Sequence, residues 1–489
     1  MADAPLILGV SGLRGIVGES LTPEVAVRYA GAFADWLRDH RDVETIYVGK
    51  DGREGGDAIY HAVIAGLASA GFDVVAGGVL TTPTVGVVAH YAAAGVVITA
   101  SHNPSKWNGV KCLIPDDCTW SSCHAPSKVQ ADHIVASFRD GSVDAISPHG
   151  RSGDVRNVAA DELVDTHVKK VFSGWFAQTK GMRESTQRIR AVADSVNASG
   201  AVATEALLRK LKVHLIQLHG DGSGIFPHTP EPTAENLSGE GGLCDAVPGL
   251  KADVGFAQDP DADRLAIVDE RGRYIGEEYT LVLCAQALLR DRGADEPTAH
   301  LVANLSTSRM IDDVAAKHGA VVHRTAVGEA NVVERMKSLK AEGHEVVLGG
   351  EGNGGVIWPE VVYVRDSLGS MALVLSLMAR TGKTVSELVA EIDALAAGGA
   401  GYAIVKRKVE IASKADAEPA VQAVARAYAS ERVDRQDGVR VDFDSGAKAG
   451  KWAGSWVHVR ASNTEPIMRV IAEAPTAEAA GALADEVGG

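Results

Sequence analysis

The chain has 489 residues, with 48 Lys and Arg against 64 Asp and Glu, for a formal net charge of −16. At roughly 150 residues per domain, that length exceeds one hydrophobic core and implies about three or four domains. An acidic balance with only 5% aromatic residues disfavours nucleic-acid binding, which needs basic surface and stacking rings, yet still allows a few focused cations around a small anion.

In chain order, Met1 to Val10 lacks the basic start and long apolar run of an export signal, and no apolar stretch reaches the ~18 residues of a membrane span. With five cysteines and no dense framework, a cytoplasmic protein with reduced thiols and no membrane or nucleic-acid partner is expected. A strand at Thr45–Val48 enters the turn Gly49–Arg53, then a helix through Ala62–Ala70 and a return strand at Gly71–Val75. The short buried strand Val96–Ile98 ends in Thr99-Ala100-Ser101-His102-Asn103-Pro104. Asn-Pro stops the strand and displays Ser101 on a tight loop at a strand end, where α/β clefts form. Taken alone, this segment reads equally well as a polar turn. A serine nucleophile needs activation, and no G-x-S-x-G elbow supports an esterase. Cys118, Cys123 and His124 lack a C-x-x-C knuckle and make a weak zinc set.

Beyond the loop Ser142–Asp154, the strand–turn–helix–strand pattern returns. It runs from Ile189–Ala193 through Asp194–Gly200 and a helix to Leu211, then into Val213–Ile216. The strand Ala252–Ala257 leads into Asp259-Pro260-Asp261-Ala262-Asp263-Arg264. In an extended loop alternate residues share a side, so three carboxylates converge and call for a hard cation such as Mg²⁺. An EF-hand would place Glu270 at position 12, but Arg264 stands where its glycine belongs and the flanks read as strands.

A third copy runs from His300–Ala303 through Asn304–Ser308 and the helix Met310–Lys317 to Gly319–Val322. After the strand His344–Leu348, Gly350, Gly352 and Gly355 satisfy G-x-G-x-x-G, which raises an NAD-dependent oxidoreductase. Val356-Ile357-Trp358-Pro359 breaks the helix such a turn must open, so a loop offering Glu351 and Asn353 to sugar hydroxyls fits better. Past a linker at Ala396–Gly401, strands at Tyr402–Val405 and Trp456–Val459 flank a helix at Ala417–Ala429, which reads as a smaller α+β domain. Arg460-Ala461-Ser462-Asn463-Thr464-Glu465-Pro466, followed by Arg469, gathers guanidiniums, hydroxyls and turn amides suited to a phosphate.

Together these segments resemble the α-D-phosphohexomutase superfamily over nearly the whole chain. The four main motifs, Thr99–Pro104, Asp259–Arg264, Gly350–Gly354 and Arg460–Pro466, stand in the family's order. Lesser matches lie at Ser11–Gly15, Asp194–Gly200, Phe226–Pro227 with Pro230–Pro232, and Thr325–Gly328. The resemblance implies three related α/β domains around a central cleft plus a smaller C-terminal α+β domain resembling the TATA-box-binding fold. The corresponding boundaries are 1–155, 156–272, 273–396 and 397–489. It implies an isomerase that interconverts hexose 1-phosphate and hexose 6-phosphate through a phosphoserine and a hexose 1,6-bisphosphate. Ser101 would carry the phosphoryl group. Asp259, Asp261 and Asp263 would hold Mg²⁺, with a phosphoryl oxygen on Ser101 as a further ligand.

By the same resemblance, Arg264 would orient the phosphoserine or substrate, and Arg14 and Lys111 would stabilise charge and assist proton transfer, with His102 a further candidate. Glu351, Asn353 and Gly328 would bind the sugar. Arg460, Ser462, Asn463, Thr464 and Arg469 would hold its existing phosphate. The chain departs from many relatives, which carry Ser at position 353 and a proposed general base, His, at 355. Gly355 therefore shifts proton handling toward Lys111. Gly55-Gly56 also replaces a more usual small hydroxyl residue. The expected sugar is glucosamine phosphate, with a phosphomannomutase/phosphoglucomutase as the alternative. A metal-dependent phosphatase built from the same groups would differ by net phosphate release.

Overall fold

The computed structural model describes residues 5–90, 92–115, 122–141, 150–179, 186–293, 295–396, 398–461 and 467–488. The chain divides into two compact units. The first is Met1–Leu288 with Val347–Gly349 and Gly354–Ser386; the second is Leu289–Val346 with Gly350–Asn353 and Glu387–Gly489.

The first unit opens with a seven-stranded sheet. Its strands are β1 (Ile7–Gly9), β2 (Gly12–Ile16), β3 (Thr45–Lys50), β4 (Asp73–Val79), β5 (Ala93–Ile98), β6 (Trp107–Leu113) and β7 (Val155–Asn157), in the order β1-β2-β6-β5-β3-β4-β7. β3 runs parallel to β4 and β5, whereas β6 is antiparallel to both β5 and β2. Every residue of β5 is buried, as its continuous apolar run requires. The helices Pro23–His40 and Gly56–Ser69 pack Phe33, Leu37, Ile59 and Leu67 into the core of this sheet. Thr22 caps the first helix by accepting from the Val25 N–H, with Pro23 in its first turn. The second helix begins six residues before the Ala62 expected from sequence. β7 pairs parallel with β4, so this sheet continues past residue 155.

The second sheet holds β8 (Arg190–Asp194), β9 (His214–Leu218), β10 (Val254–Gln258) and β11 (Leu265–Asp269), in the order β11-β10-β8-β9. β8 runs parallel to β9 and β10, and β10 pairs antiparallel with β11. Both β10 and β11 are buried throughout, so the aspartate loop between them springs from two fixed strand ends. The helix Ser367–Thr381 is buried from Ser367 to Met378 and is capped by Asp366, which accepts from the Leu368 N–H.

In the second unit β12 (Ala299–Asn304) and β13 (Val321–Thr325) run parallel, joined by the helix Met310–Lys317. β14 (Glu345–Glu351) ends at the glycine run, and β15 (Gly355–Ile357) follows it in sequence. The C-terminal part is a five-stranded antiparallel sheet of β16 (Ala403–Glu410), β17 (Arg432–Asp434), β18 (Val439–Asp442), β19 (Trp456–Ala461) and β20 (Ile467–Ala474), ordered β16-β20-β19-β18-β17. Val441, Phe443, Val459, Val470 and Leu483 form its core. No described helix is long and apolar enough to cross a membrane.

Candidate active site

The turn between β5 and β6 places Ser101. Ser101 has φ +49°, a left-handed conformation that a residue with a Cβ adopts only when its surroundings hold it. Those surroundings are specific. The Ser101 N–H donates to Thr99 Oγ1 at 2.8 Å. The buried Arg53 guanidinium donates to the carbonyls of Asn103 (3.2 Å), Trp107 (2.9 Å) and Ser101. Arg53 is in turn paired with buried Asp51 at 2.8 Å. One guanidinium thus fixes three carbonyls of the loop while its charge is balanced. On the other side Arg14 Nη1 donates to Asn103 Oδ1 at 2.9 Å. The register sets Arg14 opposite Gly109, two residues from Lys111, so Arg14 and Lys111 share one face of the sheet.

The Ser101 hydroxyl donates to Asp259 Oδ2 at 2.7 Å, and its Oγ lies 3.3 Å from His102 Nδ1. Asp259, Asp261 and Asp263 are fully buried, with ligand oxygens within 4.8 Å of one another. They converge by a different route from the extended loop expected. Ala262 is left-handed at φ +54°, and its N–H closes a turn onto the Asp259 carbonyl at 2.9 Å. The turn folds the aspartates together. The N–H groups of Asp263 and Arg264 both donate to Asp259 Oδ1 at 3.1 Å, and Thr82 Oγ1 donates to Asp261 Oδ2 at 2.7 Å.

Cations surround the cluster. Lys111 Nζ is 2.8 Å from Asp263 Oδ2 and 3.7 Å from Asp261 Oδ2, Arg365 Nη2 is 2.6 Å from Asp263 Oδ2, and Arg264 Nε is 4.0 Å from Asp263 Oδ1. Burial pushes the Asp263 carboxyl up, but Arg365, Lys111 and Arg264 outweigh it and hold the group well below its usual value. Asp259 goes the other way: burial, then the charges of Asp263 and Asp261, push it well above its usual value. Oδ1 of Asp261 and Oδ1 of Asp263 are buried without a hydrogen-bond donor. Such atoms are costly unless a cation or proton meets them. An all-oxygen donor set with two unmet oxygens fits Mg²⁺. Burial, then Arg264 and Arg14, push the His102 imidazole down to about 3, so it stays neutral in the physiological range.

A second group of the expected residues meets within the second unit. Glu351 ends β14 and is buried, and its Oε1 accepts from Asn304 Nδ2 at 2.9 Å and from the Gly328 N–H at 3.1 Å. Gly352 N–H donates to Thr307 Oγ1 at 3.0 Å, and Asn353 is half-buried beside it. The glycine run joins strand to strand, so it lacks the helix N-terminus of a dinucleotide turn. On β19 Arg460 Nε lies 2.9 Å from Asp437 Oδ2, and Arg469 on β20 stands directly opposite Arg460. Two guanidiniums facing across a strand pair favour an anion between them. Asp437 Oδ2 also accepts from the Val327 N–H at 3.2 Å, which links Arg460 to the turn that carries Gly328. Ser462, Asn463 and Thr464 lie outside the described residues, as does Cys118. Cys123 is buried and its thiol donates to the Ala93 carbonyl at 3.3 Å.

Sequence reasoning gave no role to Arg53, Arg365 or Asp437. Arg53 left a faint signal, an acid two residues before an arginine in a strand-end turn. The other two act on partners far away in the chain and leave no local pattern.

The chain matches four family profiles in order. They are "Phosphoglucomutase/phosphomannomutase, alpha/beta/alpha domain I" over residues 5–131, domain II over 166–272, domain III over 277–395, and the C-terminal domain over 404–488. It is 34% identical over 480 residues to a Thermococcus kodakarensis protein named phosphoglucomutase/phosphomannomutase, spanning 97% of this chain and 96% of that one. It is also 34% identical over 485 residues to a Methanopyrus kandleri protein named probable phosphoglucosamine mutase, spanning 98% and 96%. A solved structure of a putative phosphomannomutase from Thermus thermophilus is 25% identical and superposes with a TM-score of 0.75 over 99% of this chain and 98% of that one.

Proposed function

Because the chain belongs to the phosphoglucomutase/phosphomannomutase family, and is thus a phosphohexomutase acting as an isomerase on small phosphosugars, we propose that Ser101 is its phosphoryl carrier and glucosamine phosphate its sugar. The observation that carries this reading is the Ser101 hydroxyl 2.7 Å from Asp259 Oδ2, inside a buried carboxylate cluster ringed by Lys111, Arg365 and Arg264.

Asp259, Asp261 and Asp263 would hold Mg²⁺, which when bound neutralises charge on the phosphoryl oxygens. Ser101 in its phosphorylated form donates to the free hydroxyl of a hexose monophosphate. The Ser101 O–P bond breaks, a sugar O–P bond forms, and the product is the 1,6-bisphosphate. The bisphosphate then turns around and returns its other phosphoryl group to Ser101. Catalysis is mainly positioning and charge neutralisation. Lys111 and Arg14 stabilise the developing charge, and the Lys111 ammonium is the group we place on the proton's path: it gives a proton to the departing Ser101 Oγ and takes one from the attacking sugar hydroxyl, so it ends as it began. Neutral His102 orders the loop through Nδ1. Arg264 orients the phosphoseryl group. Glu351, Asn353 and Gly328 bind sugar hydroxyls. Arg460 and Arg469, with Ser462, Asn463 and Thr464, hold the phosphate that is not in transfer. Water must be excluded, since phosphoserine would otherwise hydrolyse.

Glucosamine phosphate rests on the name of the Methanopyrus relative, and the name of the Thermococcus relative supports glucose and mannose phosphates as the second reading. Steady-state assays on glucosamine, mannose and glucose 1-phosphates, each primed with a hexose 1,6-bisphosphate, decide between them. The highest kcat/KM is expected for glucosamine 1-phosphate. A higher value for either other sugar reassigns the substrate, and net phosphate release without isomerisation makes the protein a phosphatase.

A further inference from the structure

A second cluster of ligand-type side chains lies in the first unit, outside the groups assigned to catalysis. Asp194 ends β8 and is 1% exposed. Its Oδ1 accepts from the Val196 N–H at 2.9 Å. Its Oδ2 meets two imidazoles, His219 Nδ1 at 2.9 Å and His228 Nε2 at 3.0 Å. The three ligand atoms lie within 4.8 Å of one another.

The hydrogen bonding of His228 is the informative part. Its Nδ1 lies 2.8 Å from the Thr229 carbonyl, an acceptor that takes the Nδ1 proton. A neutral His228 therefore turns the lone pair of Nε2 toward a carboxylate oxygen. Two lone pairs at 3.0 Å require a cation between them, either a second proton or a metal ion. A backbone carbonyl on one ring nitrogen, which leaves the other free to ligate, is the usual outer support of a metal-bound histidine.

The backbone is bent to make this cluster. Val196, Asn197 and His219 all have positive φ, at +43°, +56° and +48°. Asn and His adopt this region more readily than most residues, so the strained position is Val196, whose β-branched side chain disfavours it. Two nitrogens and one carboxylate oxygen, with side chains 27% and 19% exposed at the histidines, make a three-ligand site with an open position toward solvent. That donor set suits a borderline cation such as Zn²⁺. The all-oxygen aspartate cluster, by contrast, suits Mg²⁺.

We propose that Asp194, His219 and His228 bind a divalent transition-metal ion of the zinc class, at a site separate from Asp259, Asp261 and Asp263. The ion ties the end of β8 to the segment 219–228. That segment is already pinned at its base, where Asn197 N–H donates to the His219 carbonyl at 2.7 Å and Gly224 N–H donates to the Asn197 carbonyl at 2.8 Å. Its far side reaches the residues that hold Ser101. Gly224 sits so close to Gly52 that a Cβ would lie 1.9 Å from the Gly52 carbonyl oxygen, and the Phe226 ring lies 5.3 Å from the Arg53 guanidinium. The ion is structural and takes no part in phosphoryl transfer.

The test uses the purified full chain, stripped with a chelator and returned to millimolar Mg²⁺ to fill the aspartate cluster. Zn²⁺ is then titrated against a chromophoric chelator. One tight equivalent of Zn²⁺ per chain is expected. It should be retained by Asp259→Asn and weakened by about 100-fold or more in His219→Ala and His228→Ala. Equal Zn²⁺ uptake by wild type and both histidine variants overturns the proposal, as does loss of the equivalent in Asp259→Asn. The wild-type chain gives an answer that needs no variant. Co²⁺ added in place of Zn²⁺ should produce the intense visible d–d absorption of a four-coordinate site, and the weak spectrum of six-coordinate Co²⁺ alone rules the site out, leaving a proton on His228 as the bridging cation. Neither outcome depends on the sugar or on Ser101, so failure here leaves the mutase reading standing.

Discussion

A single side chain, Arg53, shows how the Ser101 position is maintained. The left-handed Ser101 stores on the order of 1–3 kcal/mol of backbone strain, and the three carbonyl bonds from Arg53 oppose its relaxation. Ser101→Ala is expected to lose turnover by about 10³-fold or more while equilibrium binding of sugar phosphate stays within a few fold; wild-type-like turnover in that variant would remove the serine from the mechanism. Lys111→Met takes the ammonium from 2.8 Å off Asp263. Its single-turnover rate should fall by roughly 10²–10⁴-fold, and a rate near wild type would take proton handling away from Lys111. A pH dependence of stability resides in His458, which donates from Nε2 to the Asp437 carbonyl at 2.6 Å and accepts from Ser306 Oγ at 2.8 Å. Burial pushes this imidazole down to about 4 from 6.5. Between those values the unfolded chain binds the extra proton, so the contribution is full above 6.5 and is lost as pH falls toward 4. His458→Gln should flatten that part of a urea-midpoint-against-pH curve, and an unchanged acid slope would show that other groups set it. At this scale the sequence was legible where chemistry is contiguous, as at Ser101 and Asp259–Arg264. Arg53, Arg365 and Asp437 were not, because their partners are carbonyls or lie up to about a hundred residues away.

At the scale of elements, the repeated strand–turn–helix–strand units were readable because short apolar runs end in glycine and small polar residues. Their edges were less so. The helix at Gly56 begins directly after Gly55 at φ +76°, a start without an oxygen-bearing capping side chain to mark it. β7 is a three-residue exposed strand whose composition resembles a loop, and pairing with β4 alone makes it part of the sheet. The aspartate loop was placed correctly between two strands, but its geometry comes from the Ala262 turn, which alternation of side chains does not describe. β6 carries the element-level prediction. At Gly109 a Cβ would lie 2.3 Å from the Leu13 carbonyl oxygen and 2.7 Å from that of Thr99. Gly109→Ala must push β2 and the strand end before Ser101 apart, and a loss of about 1–3 kcal/mol is expected from urea unfolding, with kcat reduced alongside. Unchanged stability and kcat would show that the close approach is relaxed elsewhere.

For the whole molecule, the order of four separated motifs made the family legible, because a phosphate exchange needs both a chemical site and a passive one. The sugar was not legible: gluco, manno and glucosamine forms differ only at C2, and no residue singled out in the sequence reads that carbon. Folding buries Oδ1 of Asp261 and Oδ1 of Asp263 without a hydrogen-bond donor, so a cation bound there favours the folded chain. Mg²⁺ at about 100 times its Kd should therefore stabilise the folded chain by about 2.7 kcal/mol, read as a rise in Tm that Asp263→Asn removes. An equal rise in both proteins would place the bound Mg²⁺ elsewhere. The central claim, that Ser101 shuttles the phosphoryl group, is tested most directly by incubating the active protein with ³²P-labelled hexose 1,6-bisphosphate and locating the label by peptide mass spectrometry. The account expects one phosphoryl group on Ser101, discharged to bisphosphate when unlabelled hexose 1-phosphate is added. An active mutase with no phosphate on Ser101, or with label that hexose 1-phosphate cannot discharge, would contradict it.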